Sequence, residues 1–329
     1  MTTIGEGYAG CHHGEILQGA FLDSHGQRHL GLVTLPMPEP ATHAEYTRRL
    51  ETLPEDITVL PDDRHKARRA AALTTDFCAA LTGYPRSGGR LSLHGRIPVG
   101  LGMGSSTSDV IATIRAVAAS FGVSIQPSLV AGLAVRVERA CDPLMLDTRP
   151  VLFAQRHGHV LEILGRTLPP LVVLGCRTGQ GQPVDTLRLP TNHYDEDDIR
   201  RFECLRAMLR AAISHADVGV LGSVSTTSAQ LNQRILPKPE LDTLTTLAET
   251  VGAAGVQIAH SGNVAGLLFD SRDPALQRRV RHGARLLEVN GLPTTEPFPT
   301  PPGIPKGKPW TITSPTPSAE LTCYASTSD

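Results

Sequence analysis

GRIPVGLGMGSSTSDVIATIRAVAASFG, residues 95–122, reads as the end of a strand, a glycine loop and a helix in immediate succession. Upstream, Leu91 and Leu93 alternate with Ser92 and His94, the period of a half-buried strand, and Pro98 stops the ladder by removing a backbone donor. Gly100, Gly102 and Gly104 carry no Cβ, so the loop can take positive φ angles and crowd its amides around a bulky anion. Ser105, Ser106, Thr107 and Ser108 then open a helix whose apolar positions, Val110, Ile111, Ile114, Val117, Ala118 and Phe121, share a face, with Gly122 suited to end it. First-turn amides and the positive end of the helix dipole favour phosphate there. A hydroxyl at the helix mouth can ligate a magnesium ion that bridges phosphate oxygens.

Two other glycine loops fit less well. A Walker A loop ends in GKS or GKT, whereas Gly104 is followed by Ser105 and the nearest lysine is Lys66. A dinucleotide fingerprint needs an acid about 20 residues on, and residues 120–126 contain none. A glycine turn that merely caps an ordinary helix stays open from the residues alone, although four consecutive hydroxyl side chains favour the anion site.

PVGLGMGSSTS, residues 98–108, resembles the phosphate loop of the GHMP kinases, small-molecule kinases related to galactokinase, homoserine kinase and mevalonate kinase. GEILQG, residues 14–19, and GVQIAHSGNVAGLLFD, residues 255–270, resemble segments of the L-threonine kinase branch. So does GMGSSTSD in place of the commoner GLGSSAA. The resemblance implies an α+β fold of two domains, an N-terminal ribosomal S5 domain 2-like α/β domain and a C-terminal ferredoxin-like α+β domain. It implies phosphorylation of the side-chain hydroxyl of a small amino acid, L-threonine first, from ATP with Mg2+. Homoserine, serine or a non-standard hydroxy amino acid are the other acceptors, and an ATP-dependent decarboxylase or a non-catalytic nucleotide-binding regulator are the rival readings.

By the same resemblance, Pro98, Gly100, Leu101, Gly102, Met103, Gly104, Ser105, Ser106 and Thr107 hold the nucleotide, and Glu15, Gln18, His260, Ser261 and Gly262 meet the substrate. CDPLML, residues 141–146, is similar to the branch's TDxxMF-type pattern, which makes Asp142 the first candidate for the acid that takes the hydroxyl proton and Asp147 the second. Glu138 becomes the carboxylate partner of Ser106 on magnesium. Without the resemblance, these acids read as a capping aspartate and a surface glutamate, and GEILQG as a tight turn with a solvated acid. Glu138 and Asp142 are four apart, so a helix continuing through Cys141 would place both on one face. Pro143 opposes helical geometry at Asp142.

Length and composition agree with this reading. A chain of 329 residues with 40% hydrophobic and 19% charged content can bury a substantial core. Its net charge of -1 argues against nucleic-acid and anionic-membrane surfaces. No run of about 18 apolar residues and no basic, apolar leader is visible, so a cytoplasmic protein is expected, free of nucleic-acid or membrane partners and with a homodimer open. The six cysteines form no CxxC pair, which predicts buried free thiols. The pairs His12, His13 and His157, His159 have no carboxylates at helical ligand spacing, so no histidine metal site is expected.

In order, residues 1–46 read as β-rich, with strands at 30–35 and 41–46. Helices are predicted over 62–81 and 127–140, a hairpin over 151–164, and a buried strand over 171–176. Arg64, Lys66, Arg68 and Arg69 make the first helix basic, either as a solvated face or, at Lys66, as an anion contact. Helices follow over 195–215, 223–234, 241–251 and 273–289, with a strand pair over 255–269. Three units result: a GHMP-like N-terminal domain 1–168, a C-terminal domain 169–291, and a proline- and threonine-rich disordered tail 292–329, in which Trp310 marks an alternative partner-binding strand.

Overall fold

The computed structural model describes residues 4–38, 42–95, 102–179, 194–259 and 262–301. A four-stranded sheet holds β1 (Ile4–Ala9), β4 (Thr42–Arg49), β6 (Gly88–Gly95) and β5 (Ile57–Leu60) in that spatial order, with β5 parallel to β6 and the other pairs antiparallel. Helices α1 (His65–Thr82), α2 (Ser105–Ser120) and α3 (Pro127–Glu138) complete this layer. Helix α2 is buried on nearly every face because it lies directly on β1. Gly5 and Gly7 permit that approach: a Cβ on either would strike the backbone of α2 at Ala116 and Ala112.

The second sheet is eight strands wide. Its order is β12 (Phe298–Pro299), β9 (Leu171–Arg177), β11 (Val264–Asp270), β10 (Gly255–Ile258), β2 (His12–Leu22), β3 (Arg28–Pro36), β7 (Val151–Ala154) and β8 (His159–Ile163). It draws strands from both sides of residue 168 and joins them where Ile258 of β10 pairs with Glu15 of β2. Helices α4 (Glu196–His215), α5 (Val218–Asn232), α6 (Leu241–Val251) and α7 (Leu276–Val289) cover it. Among the described residues no helix is long and apolar enough to cross a membrane. Cys11, Cys78, Cys141 and Cys176 are buried free thiols as expected, while Cys204 is free and exposed.

Several expectations change. GEILQG is neither a turn nor solvated: it lies inside β2, whose residues from His12 to Phe21 are all buried. The register of β2 against β3 slips twice, between His12 and Glu15 and again between Glu15 and Leu17. Gly14, at φ 69°, lies in the first slip. Such bulges re-aim side chains and erase the alternation by which a strand is read. Helix α3 ends at Glu138 instead of passing through Cys141, because Arg139 adopts φ 68° and returns its N–H to Val135 O at 2.7 Å. Residues 292–301 are not a disordered tail. Thr295 N–H and Thr300 N–H donate to Gly175 O and Leu171 O, each at 2.9 Å, and buried Phe298 packs at a tilt against His13 with ring centroids 5.3 Å apart. One apolar anchor and an open sheet edge order a stretch whose average composition looks unstructured. The remainder of the tail, with Trp310, lies outside the described residues.

Candidate active site

The glycine loop and the start of α2 sit where β2, α3 and the connection after β10 converge. Pro98, Gly100 and Leu101 lie outside the described residues, as do His260 and Ser261. Gly102 and Gly104 hold φ of 75° and 73°, the left-handed region that side chains avoid. A Cβ on Gly102 would strike the backbone of Gly262, and one on Gly104 would stand 2.6 Å from His12 Cδ2. Gly104 is the N-cap of α2 and offers no side chain to the first-turn amides of Ser105, Ser106 and Thr107, which have no acceptor within the helix. Free amides at a helix start are a place where an anion can be received.

Two polar groups flank the loop. On one side Glu138, its side chain 3% exposed, accepts from Ser106 Oγ at 2.6 Å, from Thr107 Oγ1 at 2.9 Å and from Lys66 Nζ at 2.9 Å. A hydroxyl and a carboxylate oxygen this close form a hard-oxygen pair that fits Mg2+. The basic face of α1 therefore contributes one residue, Lys66, to the site. On the other side His12 Nε2 pairs with Asp142 Oδ2 at 3.1 Å, while His12 Nδ1 lies 3.3 Å from Gly14 O and 3.8 Å from Glu15 Oε1. Ending α3 at Arg139 is what sends Glu138 and Asp142 to different partners.

Burial alone would discharge the His12 imidazole, but Asp142 and Glu15 overcome it and raise the ring from 6.5 to about 9. Its neighbour His13, whose Nδ1 meets Gln257 Oε1 at 2.9 Å, is pushed the other way by burial. The trio thus sets one imidazole, that of His12, beside two carboxyl groups, those of Glu15 and Asp142. These three are also compact enough to hold a cation, their ligand atoms all lying within 4.8 Å of one another. Adjacent to them, buried Lys238 donates from Nζ to Gly262 O at 2.5 Å, and burial lowers its pKa. It thereby fixes the residue that packs on Gly102.

A stability prediction follows from the sign of the His12 shift. A group whose folded pKa exceeds its unfolded value stabilises fully below the unfolded value and loses that contribution as pH rises through the folded one. The His12 pairing should contribute on the order of 3 kcal/mol at pH 6, falling away between pH 6.5 and about 9. Urea denaturation of the protein and of His12→Gln at pH 6.0 and 9.5 checks this. The difference between the two proteins should shrink at the higher pH, and a constant difference refutes the charged pairing.

The other candidates are placed as follows. Gln18 is buried in β2 and its backbone N–H and C=O bond Ser228 and Asn232 of α5. Asp147 is not joined to the His12 group: its side chain is 55% exposed and lies 3.7 Å from Arg115. Sequence reading missed His12 and Lys238 as site residues. The only signal for His12 was its position two residues before GEILQG; for Lys238 there was none beyond the scarcity of lysine in the chain.

Comparison with known proteins finds matches in sequence and in fold. The family described as GHMP kinases N terminal domain matches residues 66–147, the span that contains Lys66, the loop, Glu138 and Asp142. The chain is 28% identical to an L-threonine kinase of Citrobacter freundii over 182 residues, 55% of this chain and 62% of the relative. It is 26% identical to a 4-diphosphocytidyl-2-C-methyl-D-erythritol kinase of Chlorobaculum parvum over 218 residues, 64% of this chain and 70% of that one. The match thus spans about three fifths of the length of the L-threonine kinases. The homoserine kinase structure from Cytophaga hutchinsonii superposes with a TM-score of 0.67 at 14% identity, covering 92% of this chain and 96% of that one, which speaks to the fold. Residues 66–147 thus match the GHMP kinase N-terminal domain, the fold is similar to that of a homoserine kinase, and the sequence is similar to L-threonine kinases.

Proposed function

We propose that this chain transfers the γ-phosphoryl group of ATP to the side-chain hydroxyl of a small amino acid, with L-threonine as the first acceptor. The observation that carries the reading is the two-sided loop: Glu138 with Ser106 on one flank, His12 with Asp142 on the other, and Gly104 between them. Phosphoryl transfer requires alignment of the alcohol with the phosphorus and stabilisation of charge on the transferring oxygens, with little covalent work by the protein. The first-turn amides of α2 receive the phosphates, and Lys66 adds positive charge beside them. Ser106 and Glu138 would hold Mg2+, which when bound neutralises charge on the phosphate oxygens. Asp142 accepts the proton of the acceptor hydroxyl. His12 holds that carboxylate in place, and Glu15 meets the substrate ammonium beside it.

The comparisons include kinases of diphosphocytidyl-methylerythritol and of homoserine, so the acceptor is tested directly. Purified protein is incubated with ATP, Mg2+ and L-threonine, L-serine, L-homoserine or a non-standard hydroxy amino acid, and ADP and phosphorylated product are measured together. ADP release in step with O-phosphothreonine is expected. ADP release with no phosphorylated amino acid, release of carbon dioxide from an acid substrate, or nucleotide binding without turnover rejects the proposal. A Ser106→Ala variant should lose about 10- to 100-fold in kcat/KM for Mg-ATP, the value of one hydrogen bond to a charged group, with its circular dichroism unchanged. Unaltered kinetics would remove Ser106 from the metal site.

A further inference from the structure

Away from the loop the structure assembles a second group of imidazoles from residues distant in sequence. His29 lies near the start of β3, His157 in the turn between β7 and β8, and His159 at the start of β8. β3 pairs with β7 at Leu32 and Phe153, and β7 with β8 at Ala154 and His159, which brings the three rings to one end of the sheet. His29 Nδ1 lies 3.3 Å from His157 Nδ1, and the His159 ring centroid is 5.1 Å from that of His29 and 5.9 Å from that of His157. Behind them Asp23 Oδ2 is 3.0 Å from His29 Nε2, while Asp23 Oδ1 accepts the backbone N–H groups of His25 and Gln27, each at 2.8 Å. The carboxylate is therefore fixed in the loop before it meets His29.

We propose that His29, His157 and His159 bind one divalent transition-metal ion of the zinc and cobalt class, with Asp23 as the carboxylate that orients His29. Two imidazole nitrogens each 2.0–2.1 Å from a tetrahedral ion stand about 3.3 Å apart, the separation found between His29 and His157. A carboxylate on the far ring nitrogen is the usual companion of a metal-bound histidine. His29 is buried and held by Asp23, whereas His157 and His159 are exposed at the rim, with His157 already hydrogen-bonded to His29 and His159 edge-on to its ring. Imidazole donors select zinc, cobalt, nickel or copper over magnesium, so this ion differs from the one that accompanies ATP. It is also remote from that one: His29 is seven residues along β3 from Pro36, the partner of His12, about 23 Å at the rise of a strand. The ion would tie β8, an edge strand, and its turn to β3.

Untagged protein, stripped with chelator and then dialysed free of it, is titrated with Zn2+ by calorimetry and with Co2+ by visible absorption. One zinc equivalent is expected, together with cobalt ligand-field bands. The double variant His157→Ala, His159→Ala should abolish both signals, and Asp23→Asn should weaken zinc about 10- to 100-fold. Glu15→Gln with Asp142→Asn should leave them unchanged. The proposal is overturned by zinc binding that survives the double histidine variant, by loss of binding in the Glu15 and Asp142 variant instead, or by no binding at submillimolar zinc.

Discussion

Asp142→Asn is expected to lower kcat by about 10²- to 10⁴-fold, the usual contribution of a general base, while nucleotide affinity stays within a few-fold of the unaltered protein. Asparagine keeps the size of the side chain and an oxygen for His12 Nε2, now 3.1 Å from the carboxylate, so the fold should persist. What is lost is the negative charge that accepts a proton. The same loss should show independently in His12, whose pKa should fall from about 9 toward its ordinary value once its strongest favourable partner is neutral. Proton-detected titration of the imidazole reads this without any assay of turnover. Asp147→Asn should change neither quantity, because that side chain is exposed and lies beside Arg115. If Asp147→Asn abolishes turnover and Asp142→Asn does not, the order of the two acids is reversed.

Gly104→Ala should cost at least about 100-fold in kcat/KM and about 2 to 4 kcal/mol in stability. Part of the cost is the backbone: φ 73° is left-handed, and a Cβ there costs roughly 1–2 kcal/mol. The larger part is the collision with His12, 2.6 Å away at Cδ2. His12 is buried, ion-paired to Asp142, and bonded through its backbone N–H to Met103 O at 3.3 Å, so it has little room to withdraw. Displacing either the loop or the ring separates the proposed phosphate site from the proposed base. Gly122→Ala supplies the comparison, since Gly122 has φ 70° but nothing within 4 Å of an added Cβ. Urea denaturation of both variants should show Gly104→Ala as clearly the more damaging. Equal costs would mean that His12 does not press on the loop.

Legibility followed the length scale of each interaction. Helix periodicity placed α2, α4 and α6 within a residue or so, because an apolar stripe every three to four residues is a local property. β2 is obscured by its two bulges and by the burial of its polar and apolar residues alike from His12 to Phe21, which leaves no solvated face to alternate with a buried one. The end of α3 was misjudged because Arg139 takes a left-handed conformation normally signalled by glycine or asparagine. Residues 292–301 were read as part of a disordered tail because their order depends on the free edge of β9, which composition does not reveal.

The candidate site divides along the same line. The glycine loop and the hydroxyl-bearing first turn of α2 are contiguous in the chain, so their resemblance to a phosphate loop is legible in that one stretch. Resemblance pairs Ser106 with Glu138, but their contact, and the arrival of Lys66, need α1, α2 and α3 to pack together. His12 meets Asp142 across 130 positions, and His29 meets His157 across 128. No local pattern encodes such pairs. They arise only when segments far apart in the chain pack together and place their side chains within a few ångströms, where, as at His12, neighbouring carboxyl groups overcome burial and raise the pKa of the ring.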